Sequence, residues 1–214
     1  MTIRFENMIP LPMLEQDTSG SEVWEAESLL LEQGKFYVVE APSGKGKTSL
    51  LSVIYGIRTD FRGSVYLDDR SLGSFSLKEW SQIRKKQLSF IFQGLELFDD
   101  LTALDNIFLK NRITGYHSVD RIMEMAVILG IKPFLNRKAG ILSFGQQQRV
   151  AIIRALCQPF NFLLADECFS HMDRENSLTA FHLIREECET RDAGLILTSL
   201  NETDLPNTDT RLKL

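Results

Sequence analysis

Phe36-Tyr37-Val38-Val39-Glu40 runs directly into Ala41-Pro42-Ser43-Gly44-Lys45-Gly46-Lys47-Thr48-Ser49, and this junction decides the fold. The first five residues are aromatic and β-branched, the composition of a short strand. Glycine and proline then break the run, and Thr48–Ile57 sets Leu50, Leu51, Ile54 and Ile57 at helical spacing. In a strand, glycine-rich turn and helix, successive backbone N–H groups can turn inward around phosphate oxygens. The helix N-terminus adds its positive end. The pattern is that of a phosphate loop with Ala41 at the first glycine position, which is acceptable if the backbone there keeps φ negative. Lys47 is then placed to reach β- and γ-phosphates, and the Thr48 hydroxyl to ligate Mg²⁺. The nucleotide-binding stretch is Ala41 through Ser49. Lys45 reads more readily as a solvated surface lysine than as a second phosphate ligand.

Working outward, the same alternation recurs. Strands are predicted at Ser64–Leu67, Leu88–Phe92, Phe160–Ala165 and Leu195–Thr198. Ser76 with Glu79 is a capping box that starts a helix through about Lys86. Thr102 and Ser118 are N-caps for two more helices, the second ending at Gly130. Gln146–Gln158 and Asp173–Thr190 are helical, and Pro10–Ser21 is a loop. Strands alternating with helices predict an α/β fold with a mostly parallel sheet covered on both faces. Between roughly 95 and 158 helix follows helix without a convincing strand, which predicts a helical lobe.

Composition sets the outer limits. The 214 residues carry 24 Lys+Arg against 29 Asp+Glu, a net charge of −5, with 43% apolar and 25% charged residues. That is ordinary for a soluble globular chain. No apolar run, Met125–Ile131 included, approaches the roughly 18 residues needed to span a bilayer. The N-terminus, with Arg4 and Glu6, lacks a secretory core. Cys157, Cys168 and Cys188 are too few and wrongly spaced for a disulfide framework or a metal site, so a reducing, cytoplasmic setting is expected. The acidic balance argues against a nucleic-acid partner.

Phe162-Leu163-Leu164-Ala165-Asp166-Glu167 is an apolar strand ending in two carboxylates. Downstream of a phosphate loop, Asp166 is placed to hold the Mg²⁺ shell, and Glu167 to take a proton from an attacking water.

One further string follows no general physical rule: Leu142-Ser143-Phe144-Gly145-Gln146-Gln147-Gln148-Arg149-Val150. It resembles the signature of ABC-type ATPases. The order of phosphate loop, glutamine after a strand (Gln93), signature, acidic strand end and a loop ending in Asp173 also matches that family, from about residue 22 to 212. The resemblance implies a P-loop NTPase fold with a RecA-like, mostly parallel core (1–93 and 159–214), a small antiparallel β part, and a helical subdomain (about 94–158). It implies a dimer, homo- or heteromeric, packed head to tail, in which each ATP is sandwiched between one subunit's phosphate loop and the other's signature. Leu142, Ser143, Phe144, Gly145 and Gln146 then act on the partner's ATP. Gln93 touches Mg²⁺ or the attacking water, giving Thr48, Gln93 and Asp166 at the metal and Glu167, Gln93 and Lys47 as catalytic residues. The membrane span comes from a separate permease-type protein, to which this chain is peripheral on the inner face. Leu101-Thr102-Ala103-Leu104-Asp105-Asn106 and Leu164-Ala165-Asp166-Glu167 look like the lipoprotein-releasing, macrolide-export and cell-division group.

The string also departs from the family. Ser199 stands where a switch histidine is expected after the strand, Phe144 replaces a signature residue, and Cys168-Phe169 replaces Pro-Thr. No tyrosine stands around Pro10–Met13, where the family's adenine-stacking aromatic usually lies; Trp24 and Phe5, near in sequence, read as core. These departures predict slow hydrolysis. The alternative they motivate is a degenerate subunit that binds ATP and dimerises with little turnover. His117 and His182 read as a loop and a helix residue, and His171 as a surface residue. A chromosome-organising ABC ATPase is disfavoured because no heptad run separates Gln93 from Leu142, and a small-molecule kinase has no use for the signature.

Overall fold

A computed structural model describes residues 1–200 and 208–214. Its centre is a five-stranded, all-parallel sheet in the order β6-β7-β8-β3-β9, where β3 is Phe36–Glu40, β6 Leu88–Ile91, β7 Phe162–Asp166, β8 Gly194–Ser199 and β9 Thr210–Lys213. Period-two alternation divides its side chains between two cores. Phe36, Val38, Leu163, Ala165, Leu195 and Leu197 face one. Tyr37, Val39, Phe162, Leu164 and Ile196 face the other.

The second face is covered by α1 (Lys47–Ile54), α2 (Leu77–Lys86) and a four-stranded sheet ordered β2-β1-β4-β5. In that sheet β1 is Thr2–Pro10, β2 Ser28–Glu32, β4 Phe61–Leu67 and β5 Arg70–Ser71; all its pairings are antiparallel. Leu50, Leu51, Val53 and Ile54 of α1 are fully buried, each contributing roughly 1.5–3 kcal/mol of transfer free energy. The first face is covered by α3 (Ala103–Thr114), α4 (Val119–Ile128), α5 (Phe144–Leu156) and α6 (Arg174–Thr190).

Helix starts follow their caps. Ser76 and Glu79 form the predicted capping box, and Thr102 and Ser118 accept from the N–H groups of Asp105 and Arg121. α1 ends earlier than the spacing predicted. The chain turns at Gly56, and Ile57 is exposed.

Four strands escaped the sequence reading. β1 carries the buried alternation Ile3–Phe5, then breaks at a bulge where Asn7 takes φ +46°. Gly63 lies opposite, and a Cβ there would fall 2.2 Å from the Asn7 carbonyl oxygen, so only glycine lets these backbones meet. β2 has one buried residue, and β5 is two residues long. β9 has a single buried residue, Leu212, and lies at the sheet edge, so the strand at Leu195–Thr198 is not the last.

Candidate functional site

The parallel strands deliver their C-terminal ends to one place. β3 ends at the loop 41–46, β7 ends at Asp166-Glu167, β6 ends just before Gln93, and β8 ends at Ser199. Ligands of open α/β sheets bind at such ends. Gly44 and Gly46 take φ of +83° and +93°, the left-handed turns that open the loop, while Ala41 stays outside that region. A Cβ on Gly46 would lie 2.7 Å from the Met13 sulfur and 3.0 Å from the Trp24 ring, so the loop rests on those two buried side chains. The Trp24 indole N–H also donates to the Lys45 carbonyl at 3.1 Å.

Lys47 is 4% exposed, and its ammonium donates to the carbonyls of Ala41 (2.6 Å) and Pro42 (2.9 Å). It also pairs with Glu167 Oε1 at 3.2 Å, while Gln93 Nε2 donates to Glu167 Oε2 at 3.1 Å. The Thr48 hydroxyl donates to Asp166 Oδ2 at 2.7 Å. Lys47, Thr48, Gln93, Asp166 and Glu167 therefore form one connected cluster. Ser43, Gly44, Gly46 and Ser49 line the same cavity beside it. Lys45 donates to the Asp17 carbonyl at 2.8 Å and is not among the residues lining that cavity.

Thr198 belongs to the cluster and was read only as a strand end. It is 1% exposed. Its hydroxyl donates to Asp166 Oδ1 at 2.7 Å and accepts the Glu167 N–H at 3.1 Å. Asp166, itself buried, is held between two hydroxyls. Glu167 sits at φ +47°, a conformation non-glycine residues adopt only where surroundings enforce it. The signal available was a threonine one residue before Ser199 on an otherwise apolar strand. Ser199 lies at the end of β8 beside Glu40, and its carbonyl accepts the Ala41 N–H at 3.2 Å.

The stretch from Leu142 to Gln146 opens α5 and has no hydrogen bond to the phosphate loop. Ser143 caps the helix in a box with Gln146. At Gly145 a Cβ would lie 3.1 Å from the His171 carbonyl oxygen, a tight fit. Phe144, 42% exposed, packs its ring 4.3 Å from that of His171, whose Nδ1 lies 2.9 Å from the Ser170 hydroxyl. Asp173 caps α6 by accepting from the Asn176 N–H, which with the Asn176 side chain lowers its carboxyl below the usual range.

Two side chains fix the loop after Gln93. Asn106 of α3, fully buried, accepts from the Phe98 N–H at 2.8 Å and donates to the Phe98 carbonyl at 3.0 Å. Arg154 of α5 donates to the carbonyls of Leu95 and Glu96, both in left-handed conformations. The helix that begins with Ser143 thus grips the loop that carries Gln93.

Apart from Cys168, which directly follows Glu167, the histidines and cysteines stand outside this cluster. His182 is an exposed helix residue, and the Nε2 of the loop residue His117 lies 3.1 Å from Glu187 Oε2 and 2.9 Å from Arg191 Nη2. The three cysteines are free and buried. Burial raises the Cys157 thiol to about 12 and raises Cys168 further, so neither is a reactive thiolate.

Residues 25–170 match the family described as ABC transporter. The lipoprotein-releasing system ATP-binding protein LolD of Legionella pneumophila (strain Lens) is 30% identical over 185 residues, 85% of this chain and 82% of that protein. LolD 1 of Chlorobium luteolum is 32% identical over 96% of this chain and 86% of its own length. A putative hemin import ATP-binding protein, HrtA, of Staphylococcus epidermidis is 31% identical over 86% and 84%. Among solved structures, the dimeric bacterial ABC transporter cassette MJ0796 aligns with a TM-score of 0.73 at 26% identity, covering 92% of this chain and 87% of that one. Its post-hydrolysis state bound to ADP and Pi aligns at 0.71. By sequence over most of its length and by fold, the chain belongs to the ABC transporter family, among its ATP-binding subunits.

Proposed function

We propose that this subunit binds MgATP at the Lys47–Glu167 cluster, hydrolyses it as a head-to-tail dimer, and drives a conformational change in a separate membrane protein. What supports this most is the convergence of Lys47, Thr48, Gln93 and Glu167 on one cavity, with the buried Asp166 bonded to the Thr48 hydroxyl behind them. Lys47 and the inward N–H groups of Ser43 to Ser49 hold the β- and γ-phosphates. The Thr48 hydroxyl, the Asp166 carboxylate and the Gln93 carbonyl are hard oxygen donors that suit Mg²⁺, which supplies charge neutralisation on the phosphates when bound. Gln93 orients the attacking water and Glu167 accepts its proton.

Ser143 and the Gly145 N–H, at a helix N-terminus, address the γ-phosphate of the second subunit. Phosphate release removes that bridging charge and lets the pair open. Residues 94–158 are the lobe that moves, linked to the Gln93 loop through Arg154. No described helix is long and apolar enough to cross a membrane. The span then belongs to the partner, and this subunit sits peripherally on the inner face.

Steady-state phosphate release by the isolated protein tests the reading, with Lys47→Ala expected to lose nucleotide binding and turnover together. Retained turnover in that variant overturns it. Ser199 favours a second reading, a subunit that binds and dimerises with little hydrolysis. A parent turnover near background that Ser199→His raises tenfold or more selects this reading.

A further inference from the structure

The cavity beside the phosphate loop, of about 310 Å³, has a second end that the hydrolytic cluster does not use. Pro12, Met13, Gln16 and Arg58 line it, and among the described residues no aromatic ring does. Met13 is buried against Gly46 of the loop, whereas Pro12 and Gln16 are exposed. Arg58 is the feature that calls for an explanation. It follows α1, and two contacts set its guanidinium. Nη1 donates to the Ser49 hydroxyl at 3.2 Å, and Nε lies 3.3 Å from Asp60 Oδ1. Ser49 is in the first turn of α1, directly after Thr48. Among the described residues Lys47 and Arg58 are the two cations lining the cavity, and of these Lys47 is engaged with the carboxylate of the hydrolytic cluster.

We infer that Arg58 is a nucleotide-binding residue at the α-phosphate and ribose end, and that this end grips the phosphates instead of reading the base. The inference rests on the nucleotide site proposed above. A planar guanidinium offers several N–H donors to phosphate oxygens, and the bonds are charge-assisted. That contribution is the same for every nucleoside triphosphate. Base affinity commonly comes from stacking on an aromatic face, and base discrimination from hydrogen-bonding groups fixed against the base edge. Here the base meets Pro12 and Met13, which are apolar and indifferent to base identity. Among the described residues, the neutral amide that lines that end, Gln16, is exposed. Asp60 is the positioning residue, turning the Arg58 fork toward Ser49.

Calorimetry on the full chain with Mg²⁺ and the β,γ-imido analogues of ATP, GTP and CTP tests this. The three analogues are expected to bind within about fivefold of one another. Arg58→Ala is expected to weaken all three by about tenfold and by the same factor. Arg58→Lys, which keeps the charge without the fork, is expected to lose about threefold. It also serves if the alanine variant fails to fold. An ATP analogue bound more than about thirtyfold tighter than the other two overturns the inference, as does unchanged affinity in a folded Arg58 variant. Lys47→Ala separates this from the underlying reading. If that variant binds the analogues as the parent does, the nucleotide site itself is misplaced. If it loses them, the site stands and the Arg58 results decide.

Discussion

Lys47 Nζ lies 3.2 Å from Glu167 Oε1, so the phosphate-loop lysine and the carboxylate proposed as proton acceptor neutralise each other across the cavity. Both side chains are less than a tenth exposed, where an ion pair is strongly felt. A γ-phosphate held by Lys47 must compete with Glu167 for the same ammonium. Nucleotide binding is thereby coupled to release of the carboxylate that acts next. Glu167→Gln removes the competitor, keeps the Gln93 contact possible, and removes the proton acceptor. Hydrolysis is expected to fall at least a hundredfold, while the dissociation constant for an ATP analogue tightens several-fold. Turnover and calorimetry on the same preparation check both. Weaker binding in the variant contradicts the competition.

Thr198 acts through Asp166 and Glu167 without facing the cavity. Thr198→Val keeps volume but leaves the Asp166 Oδ1 acceptor and the Glu167 N–H unpaired, at a cost of roughly 1–3 kcal/mol in stability. Glu167, already at a left-handed φ, loses the contact that helps enforce it. The expected result is a kcat reduced tenfold or more with a nearly unchanged KM, and recovery in Thr198→Ser, which restores the hydroxyl. A purely structural role would give Val and Ser variants that differ in melting temperature but share one kcat.

This site shows what a sequence reveals and what it hides. The phosphate loop was legible because glycines, lysine and threonine occupy consecutive positions and the chemistry needs all of them. Asp166 and Glu167 were legible as acids ending an apolar run. Thr198 was not, because its role exists only once β7 and β8 pair and set it beside Asp166. Arg154 was hidden for the same reason, since its partners lie 58 and 59 residues away. In the fold, buried parallel strands stood out as continuous apolar runs. β1 was missed because its burial alternates and a bulge breaks it at Asn7, and β9 because it buries a single residue.

Arg154 links α5 to the Gln93 loop, so it is expected to transmit position more than to bind nucleotide. Its guanidinium closes the carbonyls of Leu95 and Glu96, whose left-handed turns cost energy that the clamp offsets. Arg154→Met removes both bonds while retaining much of the buried stem. Amide exchange at 94–97 is expected to rise, and kcat to fall, with little change in the affinity for an ATP analogue. Unchanged exchange in that segment shows that Asn106 alone holds the loop.

Glu187 ties the end of α6 to the loop before α4. Its carboxylate, 4% exposed, meets Arg121 at 2.7 Å, His117 Nε2 at 3.1 Å, and Arg191. Burial alone would raise its pKa, but the His117 hydrogen bond and the two arginines outweigh it and hold the carboxyl at about 2, against 4.5 ordinarily. A carboxyl depressed on folding stabilises fully above its unfolded value, and the contribution disappears as pH falls from about 4.5 toward 2. Glu187→Gln is expected to cost about 3–5 kcal/mol at neutral pH, since it leaves the buried Arg191 without its counter-charge, while Arg121 keeps Glu124 and Glu186. The gap between parent and variant, measured by chemical denaturation, is expected to close across that acid window. Other carboxylates titrate there too, but they are common to both proteins and cancel in the difference. A gap that stays constant from pH 6 to pH 3 would mean that Glu187 holds its neighbours by shape and not by charge.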